Sequence, residues 1–306
     1  MSVRSIRSPG PAWLVVILLC TGLGWGLTIS LATLATATGI DPLTVALWSA
    51  AAGALLLTVI VLVRGKRPPL GGEHLRFYLV TGFFGTAFPH ALSFYAAMHL
   101  PAGVRAIVFA LIPMITLVLS ILLSLETASV RRLTGIVLGF LAMLVMLLPG
   151  VQVPLPGQVF WMLVSLAVAI SYAAENVYIS VKRPADLDAV TALWGMTVAG
   201  AIMLLVTLWL ADAPYLLPFD ASTAELSILL MAVVHLGAYA GLLYMLRHGG
   251  VVFASQVSYI VTPAAVMWGV VLLSETISLS IFLALGLILC GLALIKPGQK
   301  HALGVS

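Results

Sequence analysis

The second long apolar run of the chain begins with the sequence DPLTVALW, residues 41–48, and a close copy, DAVTALW, lies at residues 188–194. Further matches follow in the same order at an offset of about 150 residues: Tyr95 and His99 with Tyr244 and His248, Pro113 with Pro263, Glu126 with Glu275, and Pro149 with Pro297. So many ordered matches are hard to obtain by chance. The pattern therefore predicts two related halves, residues 1–150 and residues 151–306.

The composition excludes a water-soluble protein. Of the 306 residues, 62% are hydrophobic and only 8% are charged, whereas soluble domains carry roughly 25% charged residues. The net charge of +4 comes from short basic clusters between apolar runs, so no basic face is available for nucleic acid. The 2 cysteines, Cys20 and Cys290, lie in apolar runs and exclude a disulfide framework or a cysteine-based metal site.

The apolar runs have the length of membrane-spanning helices, which need about 20 residues to cross about 30 Å of hydrocarbon. They are continuously apolar rather than alternating, which disfavours the strands of a membrane β-barrel. The first run is longer than the apolar core of a signal peptide, so we expect it to be retained. We expect an all-α membrane protein with ten transmembrane helices, spans 1 to 10, at residues 13–35, 43–63, 77–98, 103–124, 132–149, 158–181, 188–211, 224–246, 251–273 and 277–295.

The basic residues orient these spans. With a cytoplasmic N-terminus, all of the 14 Lys and Arg residues except Arg105 fall in cytoplasmic segments, as the positive-inside rule requires. Both termini are therefore predicted to be cytoplasmic. Each half holds five spans, an odd number, so the second half is predicted to cross the membrane in the opposite orientation. Inverted repeats occur in secondary transporters, whose substrate sites lie between the repeats near mid-membrane.

Three motifs carry a resemblance to a known family. Leu-Gly-Trp-Gly occurs at residues 23–26, and spans 4 and 9 each combine a proline with a terminal Glu-Thr pair, followed by a glycine-rich span. With its five-plus-five spans, the chain resembles the EamA family of the drug/metabolite transporter superfamily over nearly its whole length. The resemblance implies a ten-helix inner-membrane carrier, often an exporter of amino acids or other small metabolites, with a cavity lined mainly by helices 1, 3, 4, 6, 8 and 9.

Polar side chains inside the predicted spans are the first candidates for a substrate site, because a charge in hydrocarbon costs about 2.5–3.5 kcal/mol on insertion scales. Glu175 and Asn176 lie in span 6, and His90 follows a proline in span 3. In span 8, His235 and Tyr239 are four residues apart and share one helix face. Glu175 is a candidate proton carrier or a counter-ion for a cationic substrate group. The alternative for each is polar contact between packed helices.

Arg105, at the start of span 4, has two interpretations. Its side chain either extends to the lipid headgroups or faces the cavity and pairs with a carboxylate, on Glu175 or on the substrate. The other members of the predicted substrate site are aromatic and amide side chains on the expected cavity helices, where core packing or an interfacial aromatic belt is the alternative: Trp25, Phe109, Tyr172, Tyr178, Gln256 and Tyr259.

Two pairs of repeated residues suit structural roles. Glu126 and Glu275 each lie at the end of a span before a new helix, so we expect them to cap a helix or anchor a loop. Pro113 and Pro263 are expected to kink spans 4 and 9 at matching depth.

Several activities are not supported by any motif. The chain has no glycine-rich phosphate loop, no histidines at metal-ligand spacing and no Ser/His/Asp set. We therefore expect no cofactor, no metal and no enzymatic activity. The leading hypothesis is a secondary transporter that exports a small metabolite by alternating access, with protons as a candidate coupling ion, in the lipid bilayer as monomer or homodimer. The alternatives are an importer of a vitamin-like or quaternary-amine compound and, from another class, a membrane enzyme or lipid scramblase.

We predict that cysteines introduced at Lys66 or Lys182 react with a membrane-impermeant maleimide only from the cytoplasmic side, because both positions lie in predicted cytoplasmic loops. The background carries serine at Cys20 and Cys290. A cysteine at Asp212 is the control, expected to react only from the periplasmic side. Labelling of the two lysine positions from the periplasm would reverse the predicted topology.

Overall fold

The computed structural model describes residues 11–125, 129–145, 156–213, 223–248 and 257–294, apart from some side chains inside these ranges. Within them the chain is helical, without β-strands, which confirms the all-α prediction for this part of the protein. Phe83–Ala87 form one π-helical turn. The helices are α1 (Pro11–Thr36), α2 (Pro42–Val63), α3 (Gly72–Gly82), α4 (Phe88–Ala97), α5 (Ala102–Phe109), α6 (Ile112–Leu122), α7 (Val130–Val145), α8 (Pro156–Lys182), α9 (Ala189–Leu210), α10 (Thr223–His248), α11 (Val257–Leu273) and α12 (Leu279–Leu294).

Many of these helices suit a bilayer. Six described stretches are long and apolar enough to cross a membrane, and shorter apolar helices cover residues 133–142, 260–273 and 279–291. The number of spans and the side of the membrane on which the termini lie stay predictions. The long stretches are Ala12–Thr36, Pro42–Val63, Ala102–Leu122, Gly157–Lys182, Ala189–Leu210 and Thr223–Leu242.

The repeated motif that opens α2 and α9 is a helix cap. The Asp41 carboxylate accepts hydrogen bonds from the backbone N–H groups of Leu43 and Thr44, at 2.9 and 3.2 Å. Asp188 accepts from the corresponding groups at the start of α9, at 3.1 and 3.2 Å. An aspartate at this position satisfies N–H groups that the first helical turn leaves without partners. The motif therefore fixes where both helices begin.

The helices of the two halves pack reciprocally. Helix α1 packs against α10 and α11, and α8, its counterpart by order in the second half, packs against the α3–α4 and α5–α6 stretches. Helix α2 packs against α9, and α7 packs against α12. Reciprocal contacts of this kind are what a two-fold relation between similar units produces.

The α3–α4 stretch and the α5–α6 stretch are each interrupted near their middle. The π turn separates α3 from α4, and Pro89 lies in the first turn of α4. Residues 110 and 111 separate α5 from α6 shortly before Pro113, in the stretch where a proline kink is expected. The matching Pro263 lies within the continuous helix α11.

Partly buried polar contacts join helices of the two halves at one end of the bundle. The Glu275 carboxylate accepts hydrogen bonds from the backbone N–H groups of Ala102 and Gly103, at 2.5 and 3.1 Å. It therefore caps the N-terminus of α5 from the other half, which confirms the structural role expected for this residue. The matching Glu126 lies outside the described residues.

Arg105, one turn further along α5, does not extend to the headgroups. Its side chain is only 1% exposed. Its Nη2 donates to the backbone oxygen of Ile29 at 2.8 Å and to Thr33 Oγ1, both on α1. The interpretation that places Arg105 at the lipid surface is therefore wrong, because α1 supplies the oxygen atoms that replace water around the guanidinium.

At the other end of the bundle, α2 ends and α3 begins. The contacts between the halves there are exposed ion pairs. Arg64 and Asp188 approach to 3.4 Å, and His74 lies 3.1 Å from the Asp186 carboxylate. Exposed pairs of this kind contribute about 0–1 kcal/mol each. The two ends of the bundle are thus fastened by different kinds of contact.

We predict that Glu275→Ala lowers the free energy of unfolding by about 2 kcal/mol, because two N–H groups of α5 lose a charged acceptor. The expected loss of melting temperature is about 3 °C for the purified protein in detergent. Glu73→Ala is the matched control, since Glu73 is exposed in the first turn of α3. Equal melting temperatures for the two variants would contradict the capping role.

Candidate functional site

Three ring side chains from α1 and α10 form a cluster that we call the aromatic triad: Trp25, His235 and Tyr239. The centroids of Trp25 and Tyr239 are 5.6 Å apart with the rings edge to face. His235 lies 5.2 Å from Tyr239 and 6.4 Å from Trp25. The triad thus joins the two halves, as predicted for a site between them, and the shared face of His235 and Tyr239 is confirmed.

The triad borders an open space inside the bundle. On α10, Leu226, Leu229 and Val233 form a stripe that is 57% to 67% exposed, as expected for a lipid-facing surface. His235 is also exposed, but it lies two residues beyond Val233 and hence on the opposite side of the helix. Its contacts with Trp25 and Tyr239 place that side within the protein. An exposed side chain in this position indicates an internal cavity.

Helix α8 of the second half shows the same arrangement. Phe160, Leu163 and Ile170 are 46% to 58% exposed and form its outer stripe. Asn176 is exposed as well, yet the helical period places it on the other side of α8. Tyr172, one turn before Asn176, is half-buried on that side. These two predicted site residues therefore border the interior, as His235 does.

Glu175 lies behind the interior surface that Tyr172 and Asn176 border. It is only 5% exposed, and its carboxyl group packs so closely against Gly85 that a Cβ atom there would collide with it. The carboxylate interacts electrostatically with the phenols of Tyr172 and Tyr239. Its Oε1 has no hydrogen-bond partner among the described residues. A buried carboxyl oxygen without a partner is uncommon and suggests a functional group.

The sequence reasoning did not find the residues that hold Glu175. Ser171, one turn before it, donates a hydrogen bond of 2.7 Å to the backbone oxygen of Phe84 in the π turn. We call Phe84, Gly85 and Ser171 the carboxyl pocket. The sequence offered one signal for these residues: two glycines, Gly82 and Gly85, occur shortly before a proline in an apolar run.

His90 on α4 extends the site. Its ring stands edge-on to Phe94 at 6.1 Å, and it interacts electrostatically with His235. Its Nδ1 is buried, with no hydrogen-bond partner in the described part of the chain. His90 of α4 and His235 of α10 thus lie near each other, whereas Thr86 packs against Gly200.

The remaining predicted site residues lie elsewhere or outside the description. Tyr178 stacks on Phe77 at 6.1 Å in a packing cluster. Phe109 is half-buried at the end of α5, and Arg105 binds α1 as described above. Gln256 and the side chain of Tyr259 fall outside the described residues. Among the described residues, no three His, Cys, Asp or Glu side chains group closely enough to hold a metal ion.

Comparisons with known proteins agree with this architecture. The chain is 28% identical over 253 residues to the uncharacterized inner membrane transporter YedA of Escherichia coli K12, which covers 81% of this chain and 79% of that protein. YedA of two other Escherichia coli strains, O6:H1 and O157:H7, gives the same values. One solved crystal structure matches 93% of this chain and 96% of its own with a TM-score of 0.62 at 20% identity, which shows a shared fold.

The family profile covers both halves. The EamA-like transporter family matches residues 12–148 and again residues 159–296. Together these matches span nearly the whole chain, and they confirm the resemblance seen in the motifs. The protein belongs to the EamA-like transporter family.

Proposed function

We propose that this protein is a secondary transporter of the inner membrane that moves a small metabolite by alternating access. The observation that carries the proposal is the aromatic triad, which joins α1 and α10 beside an inward-facing exposed surface. Secondary transporters place their substrate sites in this position, between two halves and away from lipid. Family membership and the name of YedA support transport as the activity and the inner membrane as the location.

The chemistry of the cavity wall suits an amphipathic compound. Aromatic faces bind apolar groups or organic cations, and Asn176 and His235 offer hydrogen bonds from the same interior. An amino acid or a related zwitterion fits this combination. Export is the direction that the family resemblance favours.

The second candidate within transport is an importer of a vitamin-like or quaternary-amine compound. The same rings would form a cation-binding wall, with Glu175, when ionised, as a counter-ion behind it. A lipid scramblase is less well supported, because Asn176 and His235 lie opposite the lipid-facing stripes of their helices rather than on them.

Alternating access requires the two ends of the bundle to open in turn. The Glu275 end is held by partly buried hydrogen bonds, and the Arg64 end by the exposed contact of Arg64 with Asp188. If the predicted topology is correct, the Glu275 end faces the periplasm. Protons are the proposed coupling ion, with Glu175 as their carrier, and the assembly is a monomer or a homodimer.

The test combines binding with transport. The purified protein is screened by thermal shift against amino acids, B vitamins, choline and aliphatic amines. Compounds that stabilise it are then measured as radiolabelled probes for uptake into proteoliposomes, with empty liposomes as the control. Uptake of a stabilising compound supports the proposal, and the class of that compound decides between the two candidates. Binding without uptake of any of them would overturn transport.

We predict that Trp25→Ala weakens the affinity for the stabilising compound about 10-fold, equivalent to about 1.4 kcal/mol, because an aromatic face in the wall is lost. Tyr239→Ala is expected to have a similar effect. Trp209→Ala is the matched control, since Trp209 is 68% exposed near the end of α9. Wild-type affinity in Trp25→Ala and Tyr239→Ala would assign the triad to packing alone.

We predict that Glu175→Gln abolishes the pH dependence of proteoliposome uptake between about pH 5 and pH 9, because the amide cannot carry a proton. Glu73→Gln, at an exposed site, is expected to keep the wild-type profile. An unchanged profile in Glu175→Gln would remove this residue from proton coupling.

A further inference from the structure

The π turn builds a closely fitting pocket for one carboxyl group. In a π turn each N–H bonds five residues back instead of four, and such turns are frequent at functional sites. Here the turn presents the backbone oxygen of Phe84 to Ser171 and the Cα of Gly85 to the carboxyl group of Glu175. Ser171 and Glu175 are four residues apart on α8, so both reach the turn from one helix face.

We propose that the carboxyl pocket positions Glu175 for proton binding, with Gly85 and Ser171 as positioning residues. The inference rests on the proposed role of Glu175 as proton carrier, and it adds the residues that determine where the carboxyl group of Glu175 lies. Gly85 supplies the space and Ser171 fixes the turn against α8. The proton site is therefore built by both halves, as a group that couples their movement must be.

Gly82 in the same stretch and Gly200 on the neighbouring helix α9 make ordinary helix contacts. A Cβ atom at Gly82 would meet Ala199 and the backbone of α9, and one at Gly200 would meet Thr86. Only a Cβ at Gly85 would meet an ionisable group in this stretch. The carboxyl oxygen Oε1 has no hydrogen-bond partner in the described ranges, whereas a carboxylate that merely joins two helices would be expected to have one.

The charged and titratable groups around Glu175 leave it without a cation. Tyr172 on its own helix and Tyr239 on α10 are the groups that it influences. The other ionisable side chains on the elements packed against α8 are His90 and Tyr95 on α4, Arg105 on α5, which binds α1, and Glu73, His74, Arg76 and Tyr78 on α3, where His74 contacts Asp186. Neither the π turn nor α6 contains an ionisable residue.

The test compares single glycine-to-alanine substitutions. The melting temperature of the purified full-length protein is recorded from about pH 5 to pH 9. The step in the plot of melting temperature against pH that Glu175→Gln removes is the Glu175-dependent step. This measurement needs no substrate. With Gly85→Ala, the Glu175-dependent step is expected to move by about one pH unit toward lower pH, because the displaced carboxyl group reaches the open cavity and gains water.

Two matched controls separate positioning from packing. Gly200→Ala introduces a collision at the same helix interface, so it is expected to lower the melting temperature without moving the step. Gly237→Ala faces open space and is expected to change neither. In the Glu175→Gln background, Gly85→Ala is expected to leave the shape of the plot of melting temperature against pH unchanged. The effects of two coupled substitutions do not add, so Gly85→Ala can move the step only while Glu175 is present.

A second variant keeps the proposal testable if Gly85→Ala fails to fold. Ser171→Ala removes the hydrogen bond to Phe84 and is expected to move the step in the same direction by a smaller amount. The proposal is overturned if folded Gly85→Ala or Ser171→Ala keeps the wild-type step, if Gly200→Ala moves it equally, or if Glu175→Gln removes no step at all. Because the readout is proton binding, these outcomes stand apart from the uptake experiment that decides transport.

Discussion

The structure depends on the requirement that every backbone group left free at a helix end or a helix break must find a partner inside the protein, since hydrocarbon offers none. The N–H groups that begin α5 bind Glu275. The backbone oxygen of Phe84 in the π turn binds Ser171. Both partners come from the other half, so one helix start and one helix interruption become points at which the two halves contact each other.

The same requirement concentrates polar chemistry between the halves. A side chain that satisfies a buried backbone group has to be polar, and it is accompanied by neighbours on the same helix face. Ser171 is followed one turn later by Glu175, and Tyr172 by Asn176. The candidate site therefore results from the polar side chains that satisfy the backbone groups of the interrupted helices. Rings from α1 and α10 shield this site from lipid.

Local features were predictable from the sequence, and features that depend on helix register were not. The lengths of the apolar runs revealed the helices, the repeated motif at Asp41 and Asp188 marked the starts of two of them, and the four-residue spacing of His235 and Tyr239 revealed their shared face. The contact of Gly85 with Glu175 could not be predicted, because a π turn shifts the helical period and rotates all later side chains. The burial of Arg105 depends on oxygen atoms of α1, far away in sequence, which composition rules at a span end do not consider.

The unequal fastening of the two ends has a consequence for how the protein behaves in different buffers. Mobile ions screen exposed charge pairs such as Arg64 with Asp188 strongly, and they screen partly buried hydrogen bonds such as those of Glu275 less. Raising the ionic strength therefore weakens the contact at the Arg64 end more than the contact at the Glu275 end. Because an exposed pair contributes at most about 1 kcal/mol, this is a small bias between the two ends.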